Sequence, residues 1–350
     1  MTPDTRDSGY FIQFASDNTA GMCPEALLAL NQANSGFASS YGDDAATRHA
    51  CDRLREVLEA DADIYFAFNG TAANSVALAS LCQSYQAVIC SDVAHVETDE
   101  CGAPEFFSNG SKLLLAPSRD GKLTPAGVSD IVSRRKDVHC PRPKAVTLTQ
   151  STELGSLYRR DEIAAIARTA HEHGLKVHMD GARFANAVAA LDCSPAETSW
   201  RAGVDALCFG GTKMGMPVGE AIVFFDRALG EEFAYRCKQA GQLASKMRFL
   251  SAPWVAMLQD DTWLRHARHA NAMAQRLAER ITRHGATLLQ ATEVNSVFVS
   301  LPDDAMARLK AAGWVFYTFI GGGARFMCSW ATTEAAIDHL AADIGRALSR

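Results

Sequence analysis

From about Ala45 to Phe225 the chain alternates two hydrophobic rhythms. Apolar residues three and four apart mark helices; short unbroken apolar runs between glycine or polar residues mark buried strands. The first helical stretch starts at Asp44, a residue suited to cap it, and puts Ala50, Leu54, Val57 and Leu58 on one face. A strand is expected at 64–68, then the turn NGTAAN (69–74) opening a helix that runs through 75–81. AVIC (87–90), KLLLA (112–116) and AVTLT (145–149) read as short buried strands. RDEIAAIARTAHEHG (160–174) reads as a helix closed by Gly174. LKVHMD (175–180) is a strand, GARFANAVAAL (181–191) a helix, and DALCFGG (205–211) and AIVFF (221–225) are further strands. Strands separated by helices build parallel β-α-β units, so the predicted fold class is α/β, with a large, mostly parallel sheet covered on both faces.

After Pro253 the pattern changes. A long helix (about 261–283) leads to NSVFVSL (295–301), a helix near 304–312, WVFYTF (314–319), a glycine turn at 321–323, ARFMCSW (324–330) and a last helix. This predicts a small C-terminal α/β domain at 256–350, a large domain at 41–255, and a segment at 1–40 that bridges both.

Composition narrows the function classes. Hydrophobic residues at 48% and charged residues at 21% are ordinary for a globular chain. A formal net charge of −6 and a pI of about 5.9 argue against nucleic-acid or anionic-membrane surfaces, which call for a basic face. No apolar run approaches the roughly 20 residues a membrane helix needs, and the N-terminus lacks the pattern of a signal peptide. The 10 cysteines are scattered without a Cys-x-x-Cys pair, several inside apolar runs. A reducing cytoplasm and small-molecule or protein partners are the expectation.

In open α/β sheets, ligands bind at the carboxyl ends of the strands. There the sequence places Gly70 and Thr71 at a helix start, where free N–H groups and a hydroxyl suit a phosphate. It also places His95, with Glu97 and Glu100 following it, then Asp180, then Lys213 after two glycines. Lys213 precedes the apolar stretch Met214-Gly-Met-Pro217, where an ammonium can be desolvated and made nucleophilic. A phosphate cradle, a strand-end aspartate and a lysine 33 positions later (213 − 180) are what pyridoxal 5′-phosphate requires. The lysine forms a Schiff base with its aldehyde, and the aspartate keeps the pyridine nitrogen protonated.

The stretches SDNTAG, YGDDAATR, FNGTAANSVAL, HMDGARFANA, FGGTK and GGGARF resemble those of the low-specificity L-threonine aldolases. These are fold-type-I pyridoxal-phosphate enzymes of the β-eliminating lyase group, and the resemblance runs from about Phe14 to the C-terminus. It implies a lyase that cleaves L-threonine, L-allo-threonine or relatives such as phenylserine to glycine and an aldehyde. It also implies roles. Lys213 is the Schiff-base lysine, Asp180 the pyridinium partner, and Arg183 the contact to the ring's phenolic oxygen. Gly70 and Thr71 bind the phosphate, and His95 stacks on the ring. Arg325, aided by Ser16, holds the substrate carboxylate. Glu100 serves proton transfer. Tyr41 comes from a neighbouring subunit of a homodimer or homotetramer. One departure stands out: where the family commonly has a histidine, this chain has Thr152, in TQSTELGS.

Other fates of the same cofactor complex, namely β-elimination, racemisation and transamination, form the alternative. A nicotinamide site is not supported, since no Gly-x-Gly-x-x-Gly follows a strand. No metal is called for: neither His171/His173 nor His266/His269 has the His-Glu-x-x-His spacing that sets two ligands on one helix face with a base between, and both pairs are expected on solvated faces. Lys246 and Arg248 either reach a phosphate or line an interface.

Overall fold

The computed structural model describes residues 13–318 and 322–349. Expectations for residues 1–12, for Phe319 and for Gly321 lie outside them.

Seven strands form the large sheet: β1 (Asp63–Ala67), β2 (Gln86–Ser91), β3 (Lys112–Ala116), β4 (Arg142–Thr149), β5 (Lys176–Gly181), β6 (Ala206–Phe209) and β7 (Glu220–Phe224). Their order is β1-β7-β6-β5-β4-β2-β3. The run from β3 to β6 is parallel, while β7 is antiparallel to both its neighbours. Only residues 210–219 separate β6 from β7, too short a link for a crossover helix, so the strand returns reversed.

Local chemistry sets the helix starts. Asp44 caps the helix Ala45–Leu58 by accepting the Thr47 N–H at 2.8 Å. Its residues Ala50, Leu54 and Leu58 are buried, and Val57 packs at the edge of the same core. The helix after β1 is Gly70–Leu81, longer than its sequence predicts, because Asn69 caps it by accepting the Ala72 N–H at 2.9 Å. Gly70 thus belongs to the first helical turn. Gly174 follows the helix Arg160–Glu172 with φ 71°, the left-handed conformation expected of a closing glycine.

Pro253 does not end an element. It lies inside the helix Arg248–Leu258, whose Trp254, Met257 and Leu258 are buried in the large core. That burial outweighs the one backbone bond the proline removes.

Two large apolar cores stand out among the described residues, beside three smaller clusters. One includes Leu54, Phe66, Val146, Met179, Phe209 and Trp254. The other includes Phe14, Val297, Phe326, Ile337 and Leu340. The second surrounds a small antiparallel sheet of β8 (Thr287–Leu288), β9 (Ser296–Ser300), β10 (Tyr317–Thr318) and β11 (Ala324–Met327), in the order β10-β11-β9-β8. The helix Thr262–Arg283 passes between them: Trp263 and Ala267 belong to the first core, Met273, Leu277 and Ile281 to the second. The N-terminal part also joins both, through Phe14 on one side and Cys23 and Ala26 on the other.

The expectation of solvated histidine faces fails on this long helix. His266 is partly buried, 3.2 Å from a Glu25 carboxylate oxygen and with its ring edge-on to Trp330. His269 lies with Nε2 2.7 Å from the Thr332 carbonyl oxygen. The N-terminal helix Pro24–Ala33 and the segment before the last helix cover that face, which helical spacing cannot reveal. His171 remains half-exposed, 2.8 Å from Asp205.

Phe209 ends β6 and packs edge-on to Phe184, Trp254 and Trp263 at centroid distances of 5.1, 5.0 and 5.3 Å. Phe209→Ala is expected to cost about 3–5 kcal/mol, seen as a lower urea midpoint at unchanged slope. A loss well below that range would mean that the neighbouring rings refill the space.

Candidate active site

The carboxyl ends of the parallel strands converge on one pocket. It is lined by Gly70, Asn74, His95, Glu100, Thr149, Ser151, Glu153, Asp180, Ala182, Arg183 and Lys213. Six residues expected from the sequence, Gly70, His95, Glu100, Asp180, Arg183 and Lys213, therefore meet in space. Thr71 follows Gly70 in the first turn of its helix.

Asp180 is buried near the end of β5. Its Oδ1 accepts the Ala182 N–H at 2.9 Å and its Oδ2 accepts from the Asn74 side-chain amide at 2.9 Å. It is not the cap of the following helix Phe184–Leu191, where Arg183 occupies that position. Asn74 donates its other amide hydrogen to Glu100 Oε1 at 2.9 Å, and the same oxygen lies 2.9 Å from His95 Nδ1. A chain of hydrogen bonds thus links Asp180, Asn74, Glu100 and His95. The Glu100 bond, working against the effect of burial, raises the His95 pKa above its ordinary value. Burial raises the Glu100 pKa, opposed by its bonds to His95 and Asn74.

Lys213 sits in a single 3-10 turn, Thr212–Met214, directly after β6. Burial pushes its ammonium pKa below the usual lysine value, and the Arg183 guanidinium adds to that; Asp17, Asp180 and Glu220 oppose it. The turn is fixed from beneath by Glu220 on β7, which accepts from the Gly211 N–H at 2.5 Å and the Thr212 hydroxyl at 2.6 Å. Gly210 and Gly211 are required by close backbone approach. A Cβ at Gly210 would stand 2.6 Å from the Ala182 carbonyl oxygen, and one at Gly211 would strike the Gly219 carbonyl.

Arg183 forks onto Asp17, with Nε and Nη2 donating at 2.8 and 2.9 Å, and Asn295 donates to the same carboxylate at 3.1 Å. Burial alone would raise the Asp17 pKa, but Arg183, Lys213 and these bonds outweigh it and hold it below the ordinary aspartate value. Arg325, on β11, donates to the Ala15 carbonyl oxygen at 3.3 Å, beside the segment carrying Ser16 and Asp17. The Ser16 hydroxyl is turned to accept the Asn18 N–H at 3.2 Å. Tyr41 does not reach this pocket: it is 45% exposed, lines a separate one, and has Lys238 Nζ 4.4 Å from its ring centroid. Lys246 is exposed, and Arg248 donates to the Ala33 carbonyl oxygen at 3.0 Å.

The match to the β-eliminating lyase family model spans residues 13–304, which include every residue just described except Arg325. The chain belongs to the β-eliminating lyase family. A low specificity L-threonine aldolase from a Pseudomonas species is 61% identical over 96% of this chain and 98% of its own length. Among solved structures, a threonine aldolase from Leishmania major superposes with a TM-score of 0.90 at 29% identity, covering 95% of this chain and 98% of that one. An aspartate aminotransferase from Thermus thermophilus shares the fold, at a TM-score of 0.70 and 16% identity over 96% of this chain and 92% of its own. The chain therefore has the fold-type-I architecture expected from its sequence. For this lyase, sequence reasoning missed Asp17, Asn74, Glu153 and Glu220. The first two stand within the stretches SDNTAG and NGTAAN, but their partners are distant in sequence.

Proposed function

We propose that this chain cleaves L-threonine, L-allo-threonine or related L-β-hydroxy-α-amino acids such as phenylserine between Cα and Cβ, giving glycine and an aldehyde, with pyridoxal 5′-phosphate as its cofactor. The observation that carries the reading is the pocket that joins Lys213 and Asp180, in a chain so similar to a named threonine aldolase. The residues fit the cofactor chemically. Asp180 offers a buried carboxylate for a protonated ring nitrogen, and Lys213 a desolvated amine. A Cβ at Gly70 would meet nothing within 4 Å, so the start of its 12-residue helix is open to a phosphate. The buried Ser151 hydroxyl in the same pocket has no partner among the described residues.

Lys213 would carry the cofactor covalently, with Asp180 on the ring nitrogen, Gly70 and Thr71 at the phosphate, His95 on the ring face and Arg183 toward the phenolic oxygen. When bound, the cofactor supplies an electron sink for the pair released as Cα–Cβ breaks. Arg325 and Ser16 hold the substrate carboxylate, a task that suits the planar fork of arginine. Glu100 fixes the orientation of the His95 ring through Nδ1. Breaking Cα–Cβ requires the β-hydroxyl proton to be taken up within this pocket, for which His95 and Glu100 are the groups the sequence offers.

The same reading extends to the assembly. It is a homodimer or homotetramer of the cytoplasm in which the exposed Tyr41 serves a neighbouring subunit's site. Each protomer would divide into the bridging segment, described from residue 13 to 40, a large domain at 41–255 and a small domain that starts at 256. No helix among the described residues is long and apolar enough to cross a membrane.

The test is product analysis with the cofactor-loaded protein and L-threonine or L-allo-threonine. Equal amounts of glycine and acetaldehyde are expected. Ammonia with a 2-oxo acid would overturn the aldolase reading in favour of elimination, and an accumulating epimer would do so in favour of racemisation.

A further inference from the structure

Glu153 follows β4 in the loop where the resemblance led to Thr152. Thr152 is turned away from the pocket: its hydroxyl lies 2.9 Å from Ser156 Oγ and donates to the Asp120 carbonyl oxygen at 3.2 Å. Glu153 lines the pocket in its place. One carboxyl oxygen, Oε1, is anchored, accepting the His95 backbone N–H at 2.7 Å and the Thr149 hydroxyl at 2.8 Å. The other, Oε2, is buried with no hydrogen-bond partner among the described residues. A buried carboxyl oxygen left unpaired is costly, and an arriving hydroxyl would relieve that cost. The charged groups that share the pocket with it are His95, Glu100, Asp180, Arg183 and Lys213.

We propose that Glu153 is the catalytic residue that takes the proton of the substrate β-hydroxyl, an inference that rests on the aldolase reading above. The O–H proton passes to Glu153 Oε2, and the O–H electron pair becomes the second bond of the aldehyde C=O. When bound, the cofactor would supply the sink for the Cα–Cβ pair; a proton from solvent completes glycine at Cα, and Glu153 gives its own proton up to solvent. His95 is the less available acceptor, because its Nδ1 is engaged with Glu100 Oε1 whereas Glu153 Oε2 is not engaged by any described residue. Burial moves the Glu153 pKa up to about 7, the range in which one group both accepts and returns a proton at neutral pH.

The discriminating variant is Glu153→Gln, which keeps an acceptor oxygen for His95 and Thr149 but takes up no proton. Three quantities are read on the full chain: acetaldehyde release from L-threonine, exchange of the glycine α-hydrogen with deuterated solvent, and the dissociation constant for pyridoxal 5′-phosphate. Acetaldehyde release is expected to fall by about 10²–10⁴-fold. Glycine exchange, which involves no β-hydroxyl, and cofactor affinity are expected to stay within about threefold of the parent. Cleavage retained near the parent rate overturns the proposal. So does glycine exchange lost in step with cleavage, which would make Glu153 only a tether for His95. Glu153→Ala, which also removes the acceptor for the His95 N–H and the Thr149 hydroxyl, is expected to lose cleavage at least as much. Parent protein that releases no acetaldehyde at all would instead refute the aldolase reading itself.

Discussion

Lys213→Ala is expected to lose turnover by a factor on the order of 10⁴ or more, as removal of a covalently acting residue does. Burial, with Arg183 adding to it, lowers the pKa of this amine below the usual lysine value, while Asp17, Asp180 and Glu220 oppose that shift. Lys213→Arg separates this role from a charge role. Arginine keeps the positive charge but stays protonated and so forms no bond to carbon. It is expected to be as inactive as the alanine variant, measured by acetaldehyde release with cofactor in excess. Activity in the arginine variant within about tenfold of the parent would mean that the residue acts only as a cation.

Asp180→Asn keeps shape and the bond to the Ala182 N–H but removes the charge. The loss expected is about 10²–10³-fold in kcat, comparable to removal of one preorganised electrostatic partner in a buried site. Cofactor affinity should fall with it, because the ring nitrogen loses its counter-ion. The substitution also disturbs Asn74, which now donates to both Asp180 and Glu100. The companion variant Asn74→Ala should therefore show a smaller loss without abolishing cofactor binding. Unchanged kcat in Asp180→Asn would reduce Asp180 to an anchor for the loop after β5.

Why some of this was legible in the sequence and some was not is a matter of distance along the chain. Gly70, His95, Asp180 and Lys213 each follow an apolar strand, and a parallel sheet brings all such positions to one edge. His178 shows how sharp that rule is. Two residues before Asp180 on the same strand, it is buried against Thr147 and Cys208, and burial lowers its pKa to about 4. It is a neutral core residue, and only its depth along the strand separates it from the site. Asp17 pairs with Arg183 across 166 positions, a partnership no local pattern encodes. Glu153 sits in a polar loop whose sequence does not say which side chain turns inward. Pro253 reads as a break, yet the large apolar residues around it keep the helix in place. The antiparallel β7 follows from the length of the 210–219 link, which reading strands one at a time leaves out.

The most direct test of the central claim, that the pocket at the strand ends is built around Lys213, is to find the residue to which the cofactor is attached. Borohydride reduction of the loaded protein fixes the cofactor permanently to the amine that holds it, and peptide mapping by mass spectrometry then locates it. A single modified peptide is expected, the one containing Lys213, with no modification in Lys213→Ala. Modification at Lys246 or another lysine, in a protein that releases acetaldehyde, would contradict the claim.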